Sequence, residues 1–213
     1  MTNKEKEKFL YNSIKSVSKK YSWKFKTHFT YKVIENLYFA SYFYVTPKEN
    51  KIHGWLAFKP FCLDDLFWEI TESEENSKLP LSFRGEAAFK ISADSIYDFN
   101  IEVTNIEKPE IEIENLFSEI ENKIKLCITK FPTVKDFLEK QYQNQNIQCL
   151  TVLTILIKQE KYEEAKNKIK EFINNKINSG YMVGNKDYYD LFEEYCTRKL
   201  KKNKSIIDKI FKR

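Results

Sequence analysis

Two imidazoles, four thiols and a short run of carboxylates are the side chains whose types could carry chemistry in this chain of 213 residues. Acid–base or metal chemistry would draw first on His28 and His53. A two-residue turn at Glu35-Asn36 sets His28 opposite Phe43, and a four-residue turn at Pro47–Asn50 sets His53 opposite Tyr44. Cross-strand partners share a face and neighbours alternate, so the sheet is expected to separate the two histidines. Cys62, Cys127, Cys149 and Cys196 are widely spaced with no CxxC pair, and read as buried thiols. GxSxG, HExxH and Walker motifs are missing, and 4 glycines are too few for a phosphate-cradling loop. No catalytic residue, cofactor or metal is therefore assigned.

The acidic residues are the one patterned constellation. Asp65, Glu69 and Glu72 follow at i, i+4 and i+7 with Asp64 beside them, opposite Leu63, Leu66, Phe67 and Ile70. Such a face can meet a cationic partner or, as an alternative, hold Mg²⁺ or Mn²⁺. Charge along the chain sharpens the point. Residues 1–60 carry 12 basic and 4 acidic side chains, residues 61–122 carry 4 and 16, residues 123–196 carry 12 and 10, and residues 197–213 carry 8 and 1. A net charge of +5 thus conceals an acidic middle between basic ends. The last block, with Arg198, Lys201, Lys202 and Lys204, could contact phosphates, although Lys supplies charge without the bidentate base readout of Arg.

These side chains must be positioned by elements readable from periodicity. Phe9, Leu10, Ile14 and Val17 predict a helix over 4–20. Alternation from Trp23 to Val33 predicts one long strand, followed by strands Leu37–Thr46 and Lys51–Lys59 in an antiparallel meander. A short helix follows Pro60, and Glu72–Lys78 reads as a polar loop. Alternation at Phe83–Ile91 and over 97–106 predicts two more strands. Beyond residue 113 the period becomes helical: Leu116 to Ile128, a helix capped by Thr133 and Asp136, two helices around Lys158–Glu160, one carrying Tyr189 to Leu200, and a last turn capped by Ser205. The expected class is α+β: an N-terminal helix, an antiparallel sheet of about five strands as a meander of three plus two, then a helical part. The expected domains are 1–140 and a helical extension 141–213 packed on it as one unit.

Leu150–Ile173 resembles one tetratricopeptide hairpin. Tyr162 and Ala165 match that family's Tyr-x-x-Ala start to its second helix, where a small residue permits close helix approach. Leu153 departs from the expected small residue, the Trp is absent, and no second copy follows. The resemblance implies an interaction role.

The N-terminus is charged, and the longest nearly apolar run, Leu150–Ile157, falls far short of the roughly 20 residues a span requires. A cytoplasmic chain is expected. The functional expectation is a non-enzymatic protein-binding protein, of the toxin-neutralising (immunity) kind by analogy, docking a basic partner through Asp64, Asp65, Glu69 and Glu72. The alternatives are a nucleic-acid-associated protein using Arg198, Lys201, Lys202 and Lys204, and a metal-dependent enzyme using the helix carboxylates.

Overall fold

A computed structural model describes residues 1–86, 91–131, 133–142, 148–180 and 182–211, with only the backbone for 86, 140–142 and 206–211. It is α+β, with an N-terminal helix, a five-stranded antiparallel sheet and then helices. The chain divides into two compact units, one of Met1–Phe61, Leu81–Glu86 and Ala93–Asp136, the other of Cys62–Pro80, Ala87–Ser92 and Phe137–Arg213.

In the first unit, helix α1 (Asn3–Lys20) starts at a capping box in which Thr2 and Glu5 satisfy each other's backbone N–H groups. Strands β1 (Lys24–Lys26), β2 (Phe29–Ile34), β3 (Leu37–Thr46), β4 (Lys51–Pro60) and β5 (Asp94–Glu102) pair in sequence order. Residue-by-residue register sets Phe43 opposite Gly54 and Tyr44 opposite His53, as the turn lengths predict. The expected single strand from Trp23 to Val33 is instead a hairpin, because the chain reverses at Thr27-His28 with Thr27 at φ 52° and Lys26 pairs with Phe29. Odd-numbered residues therefore lie on one face in β1 and on the other in β2.

One sheet face is closed by α1 and helix α4 (Glu110–Lys130). Phe39, Phe43, Ile52, Leu56 and Phe58 are buried there, Phe43 stacks on Phe117 of α4 at 5.8 Å, and Tyr11 of α1 donates to the Phe43 carbonyl. Burial of this many aromatic rings is the main stabilising term of the unit.

The fourth strand expected at Phe83–Ile91 is not formed at its start. Phe83–Glu86 is a short helix, α3, and residues 87–90 lie outside the described residues. Gly85 lies so close to the second sheet face that a Cβ there would sit 2.6 Å from the Phe29 ring and 2.9 Å from the Tyr38 hydroxyl. Its carbonyl accepts the Tyr42 hydroxyl at 2.8 Å. Beside it, the buried Lys59 donates to the Arg84 carbonyl at 3.0 Å, and Arg84 lies over the Phe61 ring at 3.6 Å.

The second unit takes helix α2 (Phe61–Ile70) from Cys62 onward, a 3-10 turn at Glu74–Lys78 where a loop was expected, and the helices α6 (Cys149–Lys158), α7 (Tyr162–Asn174) and α8 (Tyr188–Phe211). Helix α5 (Val134–Tyr142), begun by the predicted Thr133–Asp136 box, leads into it. Leu150 to Ile157 are all buried, so α6 is a core helix apolar on every side. Ala165 is fully buried at the start of α7, and Phe172 of that helix stacks on Tyr189. Strands β6 (Met182–Val183) and β7 (Lys186–Asp187) form a minimal hairpin over Gly184, whose φ of 58° suits a residue without Cβ. Asp187 then accepts the Tyr189 N–H at 2.8 Å and opens α8. That helix runs through Ser205 without a break, so the separate final turn expected there does not occur.

Candidate functional site

Helix α2 buries Leu63, Phe67, Trp68 and Ile70, and Phe67 meets the Tyr188 and Phe192 rings of α8 at 5.7 and 6.1 Å. That packing fixes the opposite side of the helix. Asp65 is half-buried, Glu69 and Glu72 are exposed, and Glu72 sits at φ 55° just past the helix end. Asp64 departs from the group. It is fully buried and accepts the Ile91 N–H at 3.0 Å, because i+3 and i+4 from it are Phe67 and Trp68. It fixes a backbone segment and is not a surface carboxylate.

Glu69 accepts the Tyr195 hydroxyl of α8 at 2.9 Å and lies 3.6 Å from the Lys199 ammonium. Burial and the neighbouring Glu69 carboxylate both push the Tyr195 phenol far up. Here α2 and α8 enclose a groove of about 500 Å³ lined by Glu69, Glu72, Glu74, Tyr195, Arg198, Lys199 and Lys202. The acidic helix and part of the basic segment, read in the sequence as separate surfaces, thus form two walls of one groove. Lys201 and Lys204 are exposed farther along α8. Tyr195, which donates across the groove, carries no signal of that role in the sequence.

Several carboxylates of the acidic stretch are engaged inside the first unit. In α4, Glu114 is hydrogen-bonded to Lys20, and Glu121 accepts Trp23 Nε1 at 2.7 Å and Lys32 Nζ at 3.1 Å. Glu110 accepts the Ser13 hydroxyl, Glu112 the Thr104 hydroxyl, and Glu119 the Tyr97 hydroxyl. Desolvation and that carboxylate raise the Tyr97 phenol to about 12. Glu110, Glu114 and Glu121 thus engage the basic N-terminal part of their own unit, Glu119 engages β5, and Glu112 engages the segment just after it. At the groove, the Glu72 and Glu74 carboxylates carry no hydrogen bond or ion pair among the described residues, and with Glu69 they form a candidate docking surface.

The histidines are placed differently from expectation. His28 lies at the β1–β2 turn, outside either strand, so alternation no longer assigns its face. Its ring is 6.3 Å from Tyr44, and the His53 ring stacks on the same tyrosine at 5.7 Å. Both imidazoles therefore flank one phenol ring on the second sheet face. The stack continues from Tyr44 to Trp55 at 5.5 Å, to Tyr42 at 5.1 Å and to Phe29 at 5.4 Å.

None of the cysteines is in a disulfide; Cys127 and Cys196 are buried and Cys62 and Cys149 partly so. Burial raises the Cys62 thiol and pushes the Cys196 thiol to about 11. Among the described residues no group of three or more His, Cys, Asp or Glu is arranged to hold a metal ion, and no helix is long and apolar enough to cross a membrane. No family model matches the chain, and no curated protein or solved structure is significantly similar to it.

Proposed function

We propose that this is a non-enzymatic protein-binding protein whose docking side chains are Glu69, Glu72 and Glu74 at the α2–α8 groove, with Asp65 one turn before Glu69 on α2. The observation that carries the reading is the pair Glu72 and Glu74, which line the groove while Glu69 is tied to Tyr195 and Lys199. Unpaired carboxylates at the mouth of a groove attract a cationic segment and raise its encounter rate. The opposite wall, with Arg198, Lys199 and Lys202, repels an all-basic ligand and accepts one that also carries a carboxylate, which narrows the choice of partner. A toxin-neutralising role is one setting for such a device, and a cytoplasmic location belongs to the same proposal.

The test is fluorescence anisotropy with a labelled peptide of about ten residues that alternates Lys/Arg with Asp, titrated at low and high salt. Wild type binds, and Glu72→Lys with Glu74→Lys weakens binding by about tenfold at low salt. Failure of the wild type to bind, or indifference to the double reversal, removes the reading.

A second reading has its own observation. Arg198, Lys201, Lys202 and Lys204 are all exposed on α8, and Arg198, Lys201 and Lys202 share one side of it at i, i+3 and i+4. A run of this kind meets phosphates non-specifically, and its salt dependence would be steep.

A further inference from the structure

The sheet of the first unit has one closed face and one that is only partly covered. Toward α3 the second face is buried, with Phe29, Tyr38, Ala40 and Ala57 at 2% exposure or less. Away from α3, Tyr44 is 41% exposed, His53 is exposed, and Tyr42, Trp55 and His28 are half-exposed. A continuous patch of rings left in water on a sheet is a feature that function explains better than stability does.

The register adds a polarity across this patch. One cross-strand rung reads Lys26, Phe29, Tyr42, Trp55, Asp98 from β1 to β5. The next rung outward reads Tyr44, His53, Asn100, with His28 beside Tyr44. Lys24, paired with Tyr31, extends the basic edge, and both Lys24 and Lys26 are exposed. So cations stand at one edge, aromatic rings occupy the middle, and a carboxylate and a carboxamide stand at the other edge. Strands lie about 4.8 Å apart, which puts β1 roughly 10 Å from β3. A lysine side chain and one nucleotide together cover that distance.

We propose that this face is a binding site for single-stranded nucleic acid, with bases stacking on Tyr44, Trp55 and His53 and phosphates meeting Lys24 and Lys26. Aromatic stacking accepts any base, since each has a π-face, and lysines track the backbone. Asp98 and Asn100 lie where base edges would arrive, able to accept from an exocyclic amine or to bond an adenine edge. The site lies in the other unit from the α2–α8 groove and from the α8 cations, so it stands or falls independently of the function proposed above.

The experiment uses the full chain and fluorescein-labelled single-stranded RNA and DNA of about 12 nucleotides, with anisotropy and tryptophan quenching as readouts. Wild type binds both and loses affinity with salt. Tyr44→Ser weakens binding by about 5- to 150-fold, the range for loss of one stacked base, while Tyr44→Phe retains it. Lys24→Gln with Lys26→Gln lowers the slope of log K against log salt by about 1.4, at 0.7 for each phosphate contact on a single strand. Circular dichroism confirms that each variant is folded. The proposal is overturned if wild type binds neither oligonucleotide. It is overturned equally if binding survives Tyr44→Ser and is abolished by Lys201→Gln with Lys202→Gln, which would place the contact on α8.

Discussion

Gly54 holds the sheet together by having no side chain, and its replacement by alanine is the sharpest test of the fold. On the closed face it lies between Phe43 of β3 and Phe99 of β5, its partners in register, and those two rings meet over it with centroids 5.4 Å apart. A Cβ at position 54 would stand 1.8 Å from the Tyr42 carbonyl oxygen and 2.9 Å from the end of the Phe99 ring. The ring could rotate away. The carbonyl belongs to β3, which is paired on both sides by β2 and β4, so relief requires shifting a central strand. Overpacking a core costs about 1–3 kcal/mol, more when backbone must move. Losing the Phe43–Phe99 contact adds about 0.5–1.5 kcal/mol. Against this, alanine restricts the unfolded chain and returns about 0.4–1 kcal/mol. The net loss is about 3 kcal/mol. With a urea slope of about 2 kcal/mol/M, the midpoint of Gly54→Ala falls by roughly 1.5 M. Hydrogen exchange should locate the loss in the β3 and β4 amides. A midpoint equal to or above that of the wild type would show that Gly54 is not the close-approach point between these strands, and the register argument would fail with it.

Glu121→Gln removes the charge that Trp23 and Lys32 share; with both members of the Lys32–Glu121 pair only about one-fifth exposed, it should cost about 1–2 kcal/mol, read as a lowered melting temperature that added salt does not restore. Tyr97, raised to about 12 by desolvation and Glu119, ionises in the unfolded chain near 10 but later in the folded one, so the folded state holds more protons between those values. Stability should therefore be complete below pH 10 and fall as pH rises toward 12, and Tyr97→Phe should flatten that part of an alkaline denaturation curve.

Much of the first unit is legible because two-residue periodicity and turn length together fix register. Leu37–Thr46 and Lys51–Pro60 are long, and a four-residue loop between them permits one pairing that keeps Phe39, Phe43, Leu56 and Phe58 on a shared face. The β1–β2 hairpin is not legible for a definite reason. A two-residue reversal leaves the odd–even alternation of the sequence unbroken while exchanging the faces, and Thr27-His28 offers neither the Gly nor the Asn that usually marks such a turn. Phe83–Glu86 fails similarly, since four residues cannot distinguish alternation from a single helical turn. Asp64 was within reach: its helical neighbours are Phe67 and Trp68, and that spacing alone points it inward. The groove was not, because Tyr195 and Lys199 meet Glu69 across 126 and 130 residues of chain.

The charge map shows why linear asymmetry is a poor guide to a surface. Sixteen acidic side chains in one 62-residue block look like a docking zone only while the basic N-terminal block is imagined elsewhere. The sheet needs a helical cover, α4 supplies it, and α1 packs beside α4 on the same face. Lysines of α1 and β2 are thereby brought against glutamates of α4, and opposite charges pair at Lys20–Glu114 and Lys32–Glu121. What a partner can use is the remainder left after folding. On the acidic side that remainder includes Glu72 and Glu74 at the groove and Asp98 on the sheet. On the basic side it includes Lys24 and Lys26, which alternation in β1 turns to the face opposite α4, where no glutamate of that helix can reach them. The same helix that neutralises the middle of the chain thus leaves a cationic edge beside the open aromatic rings, and it is there that a polyanion with stackable bases finds both of the contacts it requires.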